Sequence, residues 1–344
     1  MRHAAAEHFE LKHSIHKGDF HLDVDTAIPA AGVTGIFGES GSGKTTLLRC
    51  IAGLEHSAGG TSQPVHQRRI GYVFQEPQLF AHLSVRKNIQ YGMRRNPGAR
   101  DILDEASRLL EVSELLDRST TGLSGGEAQR VSIARVLCQS PRLILMDEPL
   151  SALDERRRNE VLPYLDRLHA EWAVPIIYVS HNVAEICRLS DHLLILDRGR
   201  IVAEGGLQDV LARIDLPQLG GRNAGAVIDA VPTRYDEAFD LTLFSFSGGE
   251  IWAPGRHESP GSRLRISASD VSLSRVAAAS STILNILPAT IEATAAESAA
   301  TELVRLRLGE DRLIARITRR SLQQLELKVG DEVYAQIKSV IVRR

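Results

Sequence analysis

Gly38-Glu39-Ser40-Gly41-Ser42-Gly43-Lys44-Thr45 fits G-x-x-x-x-G-K-[ST], the spacing of a phosphate-binding loop. A short apolar run at 32–37 precedes it, suited to a buried strand. A run with helical spacing at 46–53 follows, and Gly53 suits a left-handed helix stop. Strand, glycine-rich turn and helix are the context the motif requires. The glycines let the backbone bend until successive N–H groups face one anion. The helix N-terminus adds partial positive charge, and Lys44 brings a full charge to the outer phosphates. Thr45 supplies a hydroxyl for Mg²⁺. The stretch predicts a nucleotide site on an α/β P-loop fold.

The chain has 344 residues, longer than one typical domain, so two are expected. An apolar fraction of 43% and a charged fraction of 24% are those of an ordinary globular protein. A formal net charge of −2 gives no electrostatic case for a nucleic-acid partner. Cys50, Cys138 and Cys187 are few and far apart, which suits a reducing compartment. No apolar run approaches the roughly 18 residues of a membrane span, so the chain is expected not to cross a membrane itself.

Residues 1–30 alternate polar and apolar around Leu11, Leu22, Val24 and Ile28, as antiparallel strands do. His3, His8, His13, His16 and His21 crowd this stretch, but their irregular spacing without a nearby cysteine reads as solvated strand residues. Either Phe20 or His16 could stack on adenine, and spacing does not choose between them. Beyond the phosphate loop, 69–75 reads as a strand ending in the polar Gln75, and 101–117 as one amphipathic helix. The runs 143–146 and 175–179 are continuously apolar, as in parallel strands buried on both faces. Strands alternating with helices place an α/β domain at 1–215. Pro217, Gly220 and Gly221 mark a linker at 216–225. Short strand-like runs at 240–246, 263–266, 289–292, 302–308, 313–318 and 332–341 make 226–344 an all-β domain of one or two small OB-like barrels.

Leu145-Met146-Asp147-Glu148 puts two carboxylates at the C-terminal end of a buried strand, where open α/β sheets bind ligands. Asp147 is placed to hold Mg²⁺, and Glu148 to orient and deprotonate an attacking water. Leu123-Ser124-Gly125-Gly126-Glu127-Ala128-Gln129-Arg130 begins a helix with a hydroxyl and two glycines. Alone this is a capping box, with Ser124 as N-cap and Glu127 three positions on. Beside a phosphate loop it is also a second anion site, to be used by a partner subunit.

The set of Gly38–Thr45, Gln75, Leu123–Glu127, Asp147-Glu148, Ser151-Ala152-Leu153-Asp154 and His181 resembles the nucleotide-binding subunit of ABC transporters, in that family's order over residues 1 to about 215. The resemblance implies a homodimer arranged head to tail, with each ATP held between two chains. It assigns Gly38, Glu39, Ser40, Gly41, Ser42, Gly43, Lys44, Thr45 and Thr46 to one side of the nucleotide. Ser124, Gly125, Gly126 and Glu127 of the other chain cover the opposite side. Thr45, Gln75 and Asp147 serve Mg²⁺, Glu148, His181 and Lys44 serve catalysis, and Asp154 crosses the dimer interface. Glu127 and Ala128 depart from the common Gln and Lys of the signature, without touching the serine and glycine donors.

Residues 73–85 and Val161-Leu162-Pro163-Tyr164-Leu165 further resemble the ATPase of molybdate importers. Residues 280–287, 315–318 and 334–340 are similar to their molybdate-binding barrel. That likeness implies permease subunits in the membrane, a peripheral location on the cytoplasmic face of a bacterial inner membrane, and an indirect extracytoplasmic solute-binding partner. It also implies molybdate or tungstate at Ser280, Ser281, Asn285 and Lys338. Ile283-Leu284 stands where the family often has a basic residue. The alternatives are an importer ATPase for sulfate, iron or sugar, and a non-transport soluble ABC ATPase.

Overall fold

A computed structural model describes residues 8–60, 63–93, 100–172, 174–259, 261–277 and 280–343. His3 lies outside the described residues. The chain divides into two compact units, Met1–Glu204 and Gly205–Arg344.

The first unit opens with the antiparallel hairpin of β1 (His8–Lys17) and β2 (Phe20–Pro29). Alternation along both strands turns Leu11, Leu22, Val24 and Ile28 into the core. His13, expected as a solvated strand residue, shares that face at 6% exposure, with its Nδ1 2.8 Å from Ser57 Oγ. Then follow β3 (Val33–Phe37), α1 (Lys44–Ala52), β4 (Ile70–Val73), α2 (Val85–Met93), α3 (Arg100–Leu109) and α4 (Gly125–Leu137). The unit is completed by β5 (Leu143–Asp147), α5 (Glu155–Trp172), β6 (Ile176–Ser180), α6 (Val183–Leu189), β7 (His192–Asp197) and β8 (Arg200–Gly206). The sheet runs in the order β4-β5-β6-β3-β7-β8, and its pairs from β4 to β7 are parallel. Every residue of β3, β5 and β6 is buried, which accounts for their unbroken apolar runs. These strands carry the phosphate loop, the two carboxylates and His181 at their C-terminal ends.

Two element boundaries differ from expectation. The strand read at 69–75 stops at Val73, leaving Gln75 on an exposed bend. The helix read at 101–117 stops at Leu109, because Glu111 turns left-handed at φ 50°. Arg130 on α4 takes the carbonyls of Leu110 (2.9 Å) and Glu111 (3.0 Å), and Tyr164 on α5 donates to the Glu111 carboxylate at 2.7 Å. Tertiary partners for the helix-end carbonyls override the continuing apolar period.

The second unit begins with α7 (Leu207–Leu211). Its strands are β9 (Gly225–Asp236), β10 (Leu241–Phe246), β11 (Gly249–Pro254), β12 (Ser262–Ser267), β13 (Val271–Ser274), β14 (Asn285–Ala296), β15 (Thr301–Leu308) and β16 (Asp311–Thr318). Then α8 (Arg319–Gln324), β17 (Glu332–Ile337) and β18 (Ile341–Arg343) close the chain. The strands form two five-stranded sheets, β11-β10-β9-β12-β18 and β13-β17-β14-β15-β16. Phe244, Ile251 and Leu264 from one sheet and Val304, Leu306, Leu313 and Ala335 from the other share a single core. This is an OB-like all-β domain. β9, β11 and β13 escaped the sequence reading; β11 and β13 are short and partly buried, and β9 begins inside the segment read as a linker.

The segment 216–225, expected as a linker, lies inside this unit. Leu219 and Ala224 are buried, and Arg316 clamps the intervening turn. Its guanidinium donates twice to Glu297 at 2.7 Å, once to Ser269 Oγ at 2.7 Å, and to the Gly221 carbonyl. Glu297 also accepts from the Gly221 N–H at 2.8 Å. Bonding to Arg316, more than any other influence, holds the Glu297 carboxyl below its ordinary range. A depressed carboxylate contributes stability in full above the ordinary glutamate range and loses it as pH falls through the lowered value. Arg316→Ala is therefore expected to cost about 2 kcal/mol at neutral pH. Urea unfolding checks this, and the gap between variant and parent should narrow in strong acid. An equal gap at both pH values would assign the loss to packing instead.

Candidate nucleotide site

The phosphate loop is shaped by what surrounds it. A Cβ on Gly38 would stand 2.2 Å from the Leu196 carbonyl oxygen, so only glycine fits there. Gly43, the residue before α1, has φ 106°, and a Cβ on it would meet the Phe20 ring tip at 2.7 Å. From below, Gly199 in the β7–β8 turn donates its N–H to the Ser42 carbonyl at 2.8 Å. Ser42 Oγ is buried and has no hydrogen-bond partner among the described residues. A buried hydroxyl without a partner is costly, and it suits a ligand oxygen. Glu39, Ser40, Gly41 and Thr45 are exposed around the loop, and Thr46 is half-buried.

Lys44 is 5% exposed and spans the loop from within. Its Nζ donates to the carbonyls of Gly38 (2.8 Å) and Glu39 (2.9 Å) and lies 3.6 Å from Glu148 Oε1. Burial lowers the lysine pKa, opposed by the carboxylates of Glu148 and Asp147. Its charge is thus poorly solvated, which makes exchange of carbonyl partners for phosphate oxygens favourable.

Asp147 ends β5 and is 6% exposed. Thr45 Oγ1 donates to its Oδ1 at 2.9 Å and the Tyr72 hydroxyl to its Oδ2 at 2.8 Å. Burial raises the Asp147 pKa, and the two hydroxyl donors oppose that shift. A buried carboxylate beside a threonine hydroxyl is a hard oxygen donor pair, which fits Mg²⁺. Tyr72 on β4 was not anticipated. Burial, then Asp147, raises its phenol well above the ordinary range, so it remains a proton donor.

Glu148 follows with φ 44°, a strained left-handed backbone for a non-glycine residue. Its N–H donates to the Val179 carbonyl at 3.1 Å, and Ser151 Oγ donates to its carbonyl at 2.8 Å. The turn takes the side chain out of the strand register towards Lys44 and His181, whose Nδ1 lies 2.8 Å from Glu148 Oε2. His181 follows β6 and is held by a buried network behind it. Glu185 Oε2 accepts from the Tyr178 and Ser180 hydroxyls, both at 2.8 Å, and its Oε1 lies 3.2 Å from Arg158. Arg158 also reaches the Leu153 carbonyl at 3.3 Å, tying α5 to the same cluster. Lys44, Thr45, Asp147, Glu148 and His181, distant in sequence, are thus brought together.

Other predicted residues sit apart from this cluster. Ser124 is exposed and caps α4, accepting from the Glu127 N–H at 3.3 Å while its own N–H donates to Glu127 at 2.7 Å. That hydrogen bond, above all, lowers the Glu127 carboxyl pKa. The cap uses a lone pair of the serine oxygen and leaves its O–H proton for an outside acceptor. Gly125 and Gly126 follow in the first turn. Asp154 caps α5 through the Arg157 N–H at 2.9 Å. Gln75 is exposed next to a groove of about 430 Å³ lined by Glu76, Pro77, Gln78, Leu79, Ala81, Thr120, Thr121 and Ala128. Arg135, buried on α4, fixes its wall by donating to the Gln78 (2.9 Å) and Pro77 (3.1 Å) carbonyls.

Of the oxyanion candidates, Ser280 and Ser281 precede β14, Asn285 opens it, and Lys338 follows β17, the strand paired with β14. Asn285 is buried and both ends of its amide are used, accepting from Trp252 N–H at 2.7 Å and donating to Trp252 carbonyl at 2.9 Å. It sews β14 to β11 with one of its two amide N–H groups and keeps the second for another acceptor. Ser280, Ser281 and Lys338 are exposed, and Ser281 Oγ accepts from the Ile283 N–H at 3.0 Å. In the first unit, His16 stacks on His21 with ring centroids 3.8 Å apart.

A buried-lysine phosphate loop, a hydroxyl–carboxylate metal pair and a strained glutamate under a histidine define a P-loop ATPase of the ABC type. A solved chain of similar fold is cbiO1 from Clostridium perfringens, part of the ABC transporter complex cbiONQ. It is 26% identical, with a TM-score of 0.54, over 61% of this chain and 92% of that one. The ABC transporter model matches residues 22–151 and the TOBE domain model residues 281–343. Molybdenum import ATP-binding protein ModC 1 of Azotobacter vinelandii is 50% identical over 341 residues, 93% of this chain and 94% of its own length. ModC of Thiobacillus denitrificans is 51% identical over 339 residues, with 93% and 94% covered. The chain belongs to the family of molybdenum import ATP-binding proteins.

Proposed function

We propose that this chain is the ATP-hydrolysing, energy-coupling subunit of a molybdate importer. The observation that carries it is the placement of Glu148 between Lys44 and His181 at the head of the sheet, in a chain about half identical to molybdenum import ATPases along almost its whole length. Lys44, the loop N–H groups and Ser42 Oγ bind the phosphates. Thr45 and Asp147, with Gln75 at the groove edge, hold Mg²⁺, which supplies charge neutralisation for the transferred phosphoryl group. Glu148 accepts the proton of the attacking water, and His181 steadies that carboxylate and faces the γ-phosphate. Phe20, whose ring tip touches the loop at Gly43, is the adenine platform, since His16 is already stacked on His21.

Ser124, Gly125, Gly126 and Glu127 of a second copy close over the nucleotide, with Asp154 at the seam. The exposed cap and its spare hydroxyl proton support that role. ATP binding then joins two chains and hydrolysis releases them. The groove beside Gln75 receives an element of the membrane permease, so opening and closing shift that partner between its states. No helix among the described residues is long and apolar enough to cross a membrane. Any oxyanion at the second unit uses Ser280, Ser281, Lys338 and the second amide N–H of Asn285.

Complementation tests the reading. In a bacterium lacking its molybdenum import ATPase, this chain co-expressed with its permease and solute-binding partners is expected to restore molybdate uptake. Restored uptake of sulfate, iron or sugar without molybdate would assign another solute. ATPase activity with no uptake and no membrane partner would assign a soluble role.

A further inference from the structure

We propose that Tyr72 is a positioning residue for the metal-binding carboxylate, setting the Mg²⁺ concentration at which this ATPase works. This rests on the ATPase reading above. In the β4–β5 register Tyr72 lies opposite Leu145, and Asp147 is two residues beyond Leu145 on the same face. The offset along the strand is about 6.6 Å, which a para-hydroxyl spans and a Ser, Thr or Phe side chain does not. The phenol reaches Asp147 Oδ2 at 2.8 Å while Thr45 holds Oδ1, so the carboxylate plane is fixed from both ends. The ring is itself wedged against Phe74, centroids 4.4 Å apart. A cation taking a lone pair of the Thr45 hydroxyl leaves its proton on Oδ1, so threonine and phenol orient the carboxylate together. Losing one such partner costs metal affinity about 10- to 100-fold.

Tyr72→Phe keeps the ring and its packing and removes only the hydroxyl. The experiment adds this change to a Glu148→Gln chain and titrates Mg²⁺ at fixed ATP. Nucleotide-driven association is read by light scattering, and the Mg²⁺ dependence of hydrolysis is measured in parallel on Tyr72→Phe alone. The half-saturating Mg²⁺ concentration is expected to rise about 10-fold in both assays. At saturating Mg²⁺, association and the KM for ATP should return to the parent's values. An unchanged Mg²⁺ midpoint, or a loss that excess Mg²⁺ does not recover, overturns the positioning role alone. Failure of the Glu148→Gln parent to bind ATP overturns the ATPase reading, and this inference with it.

Discussion

Glu148→Gln is expected to lower ATP turnover by about 10²- to 10⁴-fold, the range of general base catalysis, while ATP and Mg²⁺ still bind. Glutamine retains the shape of the side chain and can still pair with His181, whose Nδ1 now faces an amide instead of a carboxylate oxygen at 2.8 Å. What disappears is the capacity to take a proton from water. Lys44 also loses a carboxylate at 3.6 Å, so its charge is less compensated and the phosphates are held at least as well. Bound ATP should therefore persist and keep two chains together. Single-turnover kinetics and light scattering check the two halves of this outcome. Turnover at the parent's rate would remove Glu148 from the base role, and a monomer saturated with ATP and Mg²⁺ would remove the shared-nucleotide dimer.

Lys44→Ala is expected to weaken ATP binding about 100-fold or more, with hydrolysis lost at ordinary ATP concentrations. Each charge-assisted bond to phosphate contributes about 1.5–3 kcal/mol, and the ammonium has three donors to offer. The bonds to the Gly38 and Glu39 carbonyls also go, so the unliganded loop loses its internal brace. The Gly38 bond is buried and the Glu39 bond partly so, and removing them costs the fold some stability as well. Equilibrium binding of a fluorescent ATP analogue, together with thermal unfolding, separates affinity from stability. Affinity within a factor of two of the parent would place the phosphates elsewhere.

Much of the first unit was legible because its signals are local. The buried parallel strands are continuous apolar runs, and the phosphate loop is a backbone shape that demands its glycines. The residues missed are those whose partners are remote. Tyr72 and Asp147 stand 75 positions apart, and nothing near either one announces the bond. Glu185 resembles any charge in a helix until Tyr178, Ser180 and Arg158 converge on it. Nothing near Asn285 announces that its amide bridges to Trp252 on a neighbouring strand.

Residue order alone therefore determined that the chain binds a nucleotide on a parallel α/β sheet and carries an all-β tail. Loop curvature, strand burial and helix capping depend on neighbours within a few positions, so they can be read along the chain. Tertiary structure alone decided where α3 ends, that the 216–225 segment is clamped into the second unit, and which hydroxyls steer Asp147. Those outcomes depend on which polar group finds a partner once water is excluded, and such partners meet only when distant strands and helices pack.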